Sequence, residues 1–128
     1  MALLVTDAVV LHAFDYLEAS RIFRLLARHP GVRSVLAKGV RRSRRRFGSA
    51  LDLFAGGTAE IYVKPGRDLD TLAGFDVVNA RAGIALDLGR FTAAAAVTEM
   101  VLRFGGEDAG SALFDAVVEA LDAIAAAP

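Results

Sequence analysis

Apolar residues alternate with polar or smaller ones through much of the first eighty positions, the period of half-buried strands. Asp7 to Phe14 is a compact run with Val9, Leu11 and Ala13 on one side, and Val32 to Ala37 has the same character. Leu51 to Phe54 and Ala59 to Val63 flank a Gly56-Gly57 pair, read as a bulge within one long bent strand. Lys64-Pro65-Gly66-Arg67-Asp68 predicts a turn, because Pro fixes φ and Gly supplies φ > 0. A further strand lies in Leu69 to Asn79, centred on Phe75, Val77 and Val78. About five strands at this spacing predict a small barrel or sandwich.

One stretch resists the alternating pattern. In Glu18 to His29, Ile22, Leu25 and Leu26 fall at i, i+3 and i+4, and Arg21, Arg24 and Arg28 share the opposite face. Local periodicity alone favours an amphipathic helix ending at His29-Pro30-Gly31, a sequence that also suits a hairpin turn.

After Ala80 the period becomes helical. Phe91 to Phe104 is alanine-rich, with Ala94, Val97, Val101 and Phe104 at helical spacing, and Gly105-Gly106 stops it. Asp108 or Ser111 is expected to cap a second helix, in which Leu113, Val117, Leu121 and Ile124 form an apolar stripe opposite Asp115, Glu119 and Asp122. The two helices predict an antiparallel hairpin.

Charge changes this picture more than composition does. The 128 residues carry 15 cations and 15 acids, for zero net charge. Up to Ala50, however, there are ten cations and three acids, a balance of +7, and the remainder stands at −7. The excess is concentrated in Lys38-Gly39-Val40-Arg41-Arg42-Ser43-Arg44-Arg45-Arg46-Phe47-Gly48, with six cations and no acid. A dipolar chain of this kind can hold a polyanion at one end and stay dissolved through the other. The plain alternative is a solvated charged loop. Against it, the cations are nearly all Arg, whose planar fork pairs with phosphate and stacks on bases, and the run lies between two predicted strands. Nucleic-acid contact is therefore assigned to Lys38, Arg41, Arg42, Arg44, Arg45 and Arg46, with Arg24 and Arg33 adding charge nearby. Phe47 could stack a base but reads better as a core anchor, and Phe14, Tyr16, Phe23, Phe54, Tyr62 and Phe75 are mostly core candidates, with Tyr62 alternating outward.

Other chemistry finds little support. The absence of Cys removes disulfides, thiolate zinc sites and thiol catalysis together. His12 and His29 have no metal-ligand partner at useful spacing, and Asp68 and Asp70, in a turn context, read as solvated. No glycine pair is followed by the Lys-Ser/Thr of a phosphate-binding loop. No catalytic residue, cofactor or metal is expected. No apolar run approaches the ~18 residues that span a bilayer, and the N-terminus lacks a cationic leader; the expected location is the cytoplasm, in association with the nucleoid.

The segment Asp7-Ala8-Val9-Val10-Leu11-His12-Ala13-Phe14-Asp15-Tyr16-Leu17-Glu18-Ala19-Ser20-Arg21 resembles the opening of the RecO family of recombinational repair proteins. Leu36-Ala37-Lys38-Gly39-Val40-Arg41-Arg42 resembles that family's Ala-Lys-Gly-x-Arg-Arg segment, followed by a Leu/Phe-rich strand (Leu51-Asp52-Leu53-Phe54) and a Glu-Ile-Tyr strand. The alanine-rich helix and the Leu113-Phe114 helix resemble the start of its helical domain. The resemblance implies a mainly β, α+β protein. Residues 1–80 would form a five-stranded OB-fold barrel and 81–128 a helical hairpin from a truncated helical domain. It places a strand over Ser20 to Ala27, and that reading is adopted over the local periodicity. It also implies a non-enzymatic mediator of recombination that binds single- and double-stranded DNA. Such a mediator anneals strands, works with RecR to load RecA and, in some members, meets single-strand-binding protein. Many relatives are longer and carry a cysteine zinc site, which this chain lacks. The alternative from another class is a scaffold module whose basic loop docks an acidic protein.

Overall fold

In the computed structural model the described residues are 2–40, 47, 51–106 and 108–128. Five strands follow in chain order: β1 (Ala2–Tyr16), β2 (Ser20–Ala27), β3 (Val32–Ala37), β4 (Gly56–Val63) and β5 (Leu69–Asn79). They close into a barrel in the order β1-β2-β3-β5-β4. Every pair is antiparallel except β3 with β5, which run parallel. This is the five-stranded Greek-key barrel of an OB-fold.

The long β1 makes closure possible. Its first half, Ala2–Val9, pairs with β4, and its second half, from Ala8, pairs with β2. Between Val10 and His12 the β1–β2 register slips at a bulge. One extra residue on one strand leaves two neighbours on the same face and bends the strand. Ala8 and Val10 belong to the barrel interior, and after the bulge Ala13 takes over that role. Val9 and Leu11 sit in a second core outside the barrel. The expected side shared by Val9, Leu11 and Ala13 is therefore split, because the bulge inverts the alternation after Leu11.

The Ser20–Ala27 segment is a strand, not a helix. Its apparent helical period arises because both of its faces are buried. Phe23 and Leu25 fill the barrel, while Leu26 faces the second core. The Lys64–Asp68 turn forms as expected: Gly66 has φ +79° and Arg67 N–H donates to the Lys64 carbonyl at 3.3 Å. Leu51–Phe54, in contrast, is not a strand. Asp52 Oδ1 accepts from Leu53 N–H at 2.8 Å, and Phe54 adopts φ +70°. The chain here crosses from the inner core, where Leu51 is buried, to the outer one, where Phe54 is buried, which a flat strand does not do. The Gly pair still marks a register irregularity, between Gly56 and Gly57 in the pairing with β5.

A short 3₁₀ turn, Ala82–Leu86, leads into α1 (Leu88–Phe104), followed by α2 (Ser111–Ala126). Asp87 caps α1 by accepting from Arg90 N–H at 2.9 Å. Neither Asp108 nor Ser111 caps α2; its N-cap is Gly110, with no side-chain cap bond. Ser111 Oγ instead accepts from Arg28 Nη1 at 2.7 Å, tying the helix to the barrel. The helices bury Ala94, Val101, Phe114, Val117 and Leu121 against Val9, Leu11, Leu26, Val32 and Phe54. Phe104, expected in the α1 stripe, is 82% exposed. Among the described residues no helix is long and apolar enough to cross a membrane.

Candidate nucleic-acid interface

The basic run is held at both ends by the barrel. Val40 before it and Phe47 after it are buried in the inner core beside Phe23, Leu25 and Val35. Phe47 is thus the anchor the sequence suggested. Arg41, Arg42, Arg44, Arg45 and Arg46 lie outside the described residues. Lys38 is exposed one residue beyond β3.

The arginines of β2, β3 and the turn between them divide by the direction in which each points. Arg21 and Arg33 have the inward phase of Phe23, Leu25 and Val35, and so stand at the two mouths of the barrel. Arg33 closes one mouth on Asp70, with Nε donating to Oδ2 at 2.9 Å and Nη2 at 2.5 Å. Asp70 is therefore not solvated in a turn: its side chain is 1% exposed, and Arg33 supplies the paired charge that a buried carboxylate needs. Arg21 meets Asp15 at 3.4 Å and Asp52 at 3.8 Å, and its guanidinium lies 5.3 Å from the Phe23 ring centroid.

Arg28 binds the helical hairpin. It reaches Asp7 on β1 at 3.3 Å and Asp115 on α2 at 3.0 Å, and lies 4.5 Å over the Phe114 ring. The hydrogen bond to Asp115 raises its pKa most; desolvation opposes the rise and Asp7 adds to it. An arginine raised above an already high value stays charged throughout the neutral range, so this tether is not lost there as pH rises.

Arg24 differs from all three. It points outward and has no ion-pair partner among the described residues. With Arg33, Arg67 and Ser34 it lines a cavity of about 300 Å³ between the β2–β3 face, the β4–β5 turn and the end of α1. Asp68 also lines it, so the cavity is cationic by excess rather than purely basic. Arg67 was not among the residues singled out by sequence. It sits in a turn far along the chain from the others, and only barrel closure brings it alongside.

The outward face next to Arg24 carries a second set of residues that sequence assigned to the core. Directly opposed residues in an antiparallel sheet share a face. Here His12 opposes Arg24, which opposes Ser34; Phe14 opposes Ile22, which opposes Leu36; and Tyr16 opposes Ser20. No carboxylate stands in these three rows. Phe14 is 43% exposed and Tyr16 39%, while the His12 and Phe14 rings lie 5.8 Å apart. The Leu11 bulge puts them outside, and no residue type in the sequence announces it. Phe23, Phe54 and Phe75 are buried as expected, and Tyr62 is partly exposed as expected.

Residues 1–81, the entire barrel with Arg81, match the family model described as Recombination protein O N terminal. The chain belongs to the recombination protein O family. The match gives the protein a RecO-like role in recombination and repair. Among the described residues, no group of three or more His, Asp or Glu side chains is placed to hold a metal ion.

Proposed function

We propose that this protein is a DNA-binding recombination mediator. It binds single- and double-stranded DNA through residues 1–80, while residues 81–128 form a helical segment braced against them. In this reading it anneals strands and, with RecR, loads RecA onto DNA coated with single-strand-binding protein. It acts in the cytoplasm at the nucleoid and needs no cofactor.

The observation that carries the reading is the arginine run flanked by two buried anchors, Val40 and Phe47. Val40 and Phe47 tie the residues on either side of the run to the barrel, and cations clustered in sequence act together on a polyanion. Lys38, Arg41, Arg42, Arg44, Arg45 and Arg46 supply the field, and Arg24 extends it onto the sheet. Arg33 contributes less, since Asp70 balances it. OB-fold barrels use their β2–β3 face for oligonucleotides, which is the face Arg24 occupies.

The test is a salt titration. Each phosphate neutralised on a single strand lowers the log–log slope by about 0.7, so four engaged cations give roughly −3. Replacing Arg41, Arg42, Arg44 and Arg45 with Ala should flatten the slope and weaken binding to both DNA forms, with the melting temperature little changed. Equal affinity and slope in the variant would reject the reading. Binding of an acidic protein but never DNA would favour the scaffold alternative. Co-purification with the organism's own RecR tests the partnership.

A further inference from the structure

We infer that the aromatic row His12, Phe14 and Tyr16 on β1 is a stacking platform for unpaired bases, which makes single-stranded nucleic acid the preferred ligand of this face. The inference rests on the proposed DNA-binding role and adds a contact that charge alone does not supply.

Three observations combine. First, Phe14 and Tyr16 expose about two-fifths of their surface on a sheet face that the helices leave open. Leu11, on the near side of the bulge, is buried beneath those helices, and His12, on the far side, is exposed. The bulge therefore marks the border of the covered area. Second, the face is complementary in charge to a polyanion. Its cross-strand rows hold Arg24 and no acid, and Asp15, between Phe14 and Tyr16, has the opposite phase and pairs with Arg21 at the barrel mouth. The next residues beyond β3 lead into Lys38 and the arginine run. Third, the rings are close neighbours. The His12 and Phe14 centroids lie 5.8 Å apart with their planes tilted by 39°, closer than the roughly 6.8 Å that two stacking intervals of about 3.4 Å need. A base therefore stacks on the open outer face of the row and not between its rings, while Arg24, opposite His12, meets the backbone.

Aromatic platforms tolerate any base, because every base has a π-face, whereas paired bases in a duplex are not available to them. The arginine run supplies attraction to either form of DNA. The ring row supplies the preference.

The experiment compares three probes of equal length: oligothymidine, the same backbone made abasic, and a duplex. The parent protein should bind oligothymidine more tightly than the abasic strand. Replacing Phe14 and Tyr16 together by Leu keeps apolar bulk and removes the rings. It should weaken oligothymidine binding tenfold or more, on the order expected for lost base stacking. Affinity for the abasic strand and the duplex should stay within about twofold, with the salt slope unchanged, because no charge is lost. A readout independent of that variant's folding comes from tyrosine emission. The chain has two Tyr and no Trp, so Y62F leaves Tyr16 as the sole fluorophore, and saturating oligothymidine should quench it.

Unchanged Tyr16 emission, or equal oligothymidine affinity in parent and F14L/Y16L while the arginine variant is weakened, would overturn the platform and leave the proposed function standing. No DNA binding by the parent would overturn both. Ring-dependent binding of polyglutamate in preference to oligothymidine would reassign the face to an acidic protein.

Discussion

Arg81 Nε donates to Asp122 Oδ1 at 2.8 Å, joining the residue just past the barrel to the last turns of α2. Arg81 is nearly sealed from solvent, with φ +50°, and its Nη1 donates to the Phe54 carbonyl at 2.7 Å. Asn79 Nδ2 donates to the same carboxylate oxygen at 3.0 Å. The guanidinium thus joins the Phe54 turn to α2, and Asn79, through the shared carboxylate, adds the end of β5. Arg90 adds a contact from α1 to the Ala127 carbonyl.

Asp122→Ala should cost about 2 kcal/mol in urea unfolding, since it strips a buried guanidinium of the one carboxylate it meets among the described residues, while Asp122's own half-exposure limits the loss. Asp115→Ala removes a pair whose partner, Arg28, is more open to solvent, and it should cost much less. Equal losses at the two sites would show that burial of the arginine does not set the difference.

Arg33 and Asp70 offer a test of a different kind. Arg33→Met leaves a buried carboxylate without its cation and should cost about 3 kcal/mol. Replacing both, as R33M/D70L, should restore stability to within about 1 kcal/mol of the parent. The double variant then separates roles: a folded protein without the Arg33 charge should keep most of its DNA affinity, because Asp70 already offsets that charge. A large fall in affinity would mean that Arg33 leaves Asp70 to bind DNA.

Two glycines should respond to alanine for opposite reasons. At Gly57 a Cβ would sit 1.9 Å from the Asp76 carbonyl oxygen, where β4 and β5 approach at the register slip. Gly57→Ala should cost about 3 kcal/mol, at the upper end of overpacking penalties. At Gly66 there is open space but φ is +79°. Gly66→Ala should cost about 1 kcal/mol through backbone strain alone. Thermal melts of the two variants check the order.

The same distinction between local and long-range causes explains what the sequence revealed. The strands at Val32–Ala37 and Leu69–Asn79, the Lys64–Asp68 turn and the two helices were legible, because each has a local period or a turn residue with its own φ requirement. The segment Ser20–Ala27 was legible only through family resemblance. Its residues face two separate cores, and burial on both sides of a strand erases the period of two. Phe14 and Tyr16 were misread because a single bulged residue, Leu11, inverts the phase after it. Arg33 and Asp70 lie 37 positions apart, and only the parallel pairing of β3 with β5 makes them partners. The arginine run was plain in the sequence, whereas the cationic cavity with Arg67 was not.

The groove between α1 and α2 yields the last prediction. It measures about 450 Å³ and is lined almost wholly by carbon, with Val97, Met100, Phe104, Leu113 and Val117 among its walls. Phe104 and Met100 are largely exposed, so neither contributes much buried area to folding. Met100→Ser with Phe104→Ser should therefore change stability by less than about 0.5 kcal/mol, the range of surface substitutions. The effect on the surface should be larger, because an open apolar patch attracts apolar probes. Binding of an anilinonaphthalene dye should fall clearly in the double variant, while Phe114→Ser, which removes a side chain buried under Arg28, should unfold the hairpin and increase dye binding. If the double variant is destabilised like Phe114→Ser, Phe104 and Met100 are supporting α1 in a way their exposure does not reveal. If dye binding is unchanged, the groove is not the apolar surface that solvent meets.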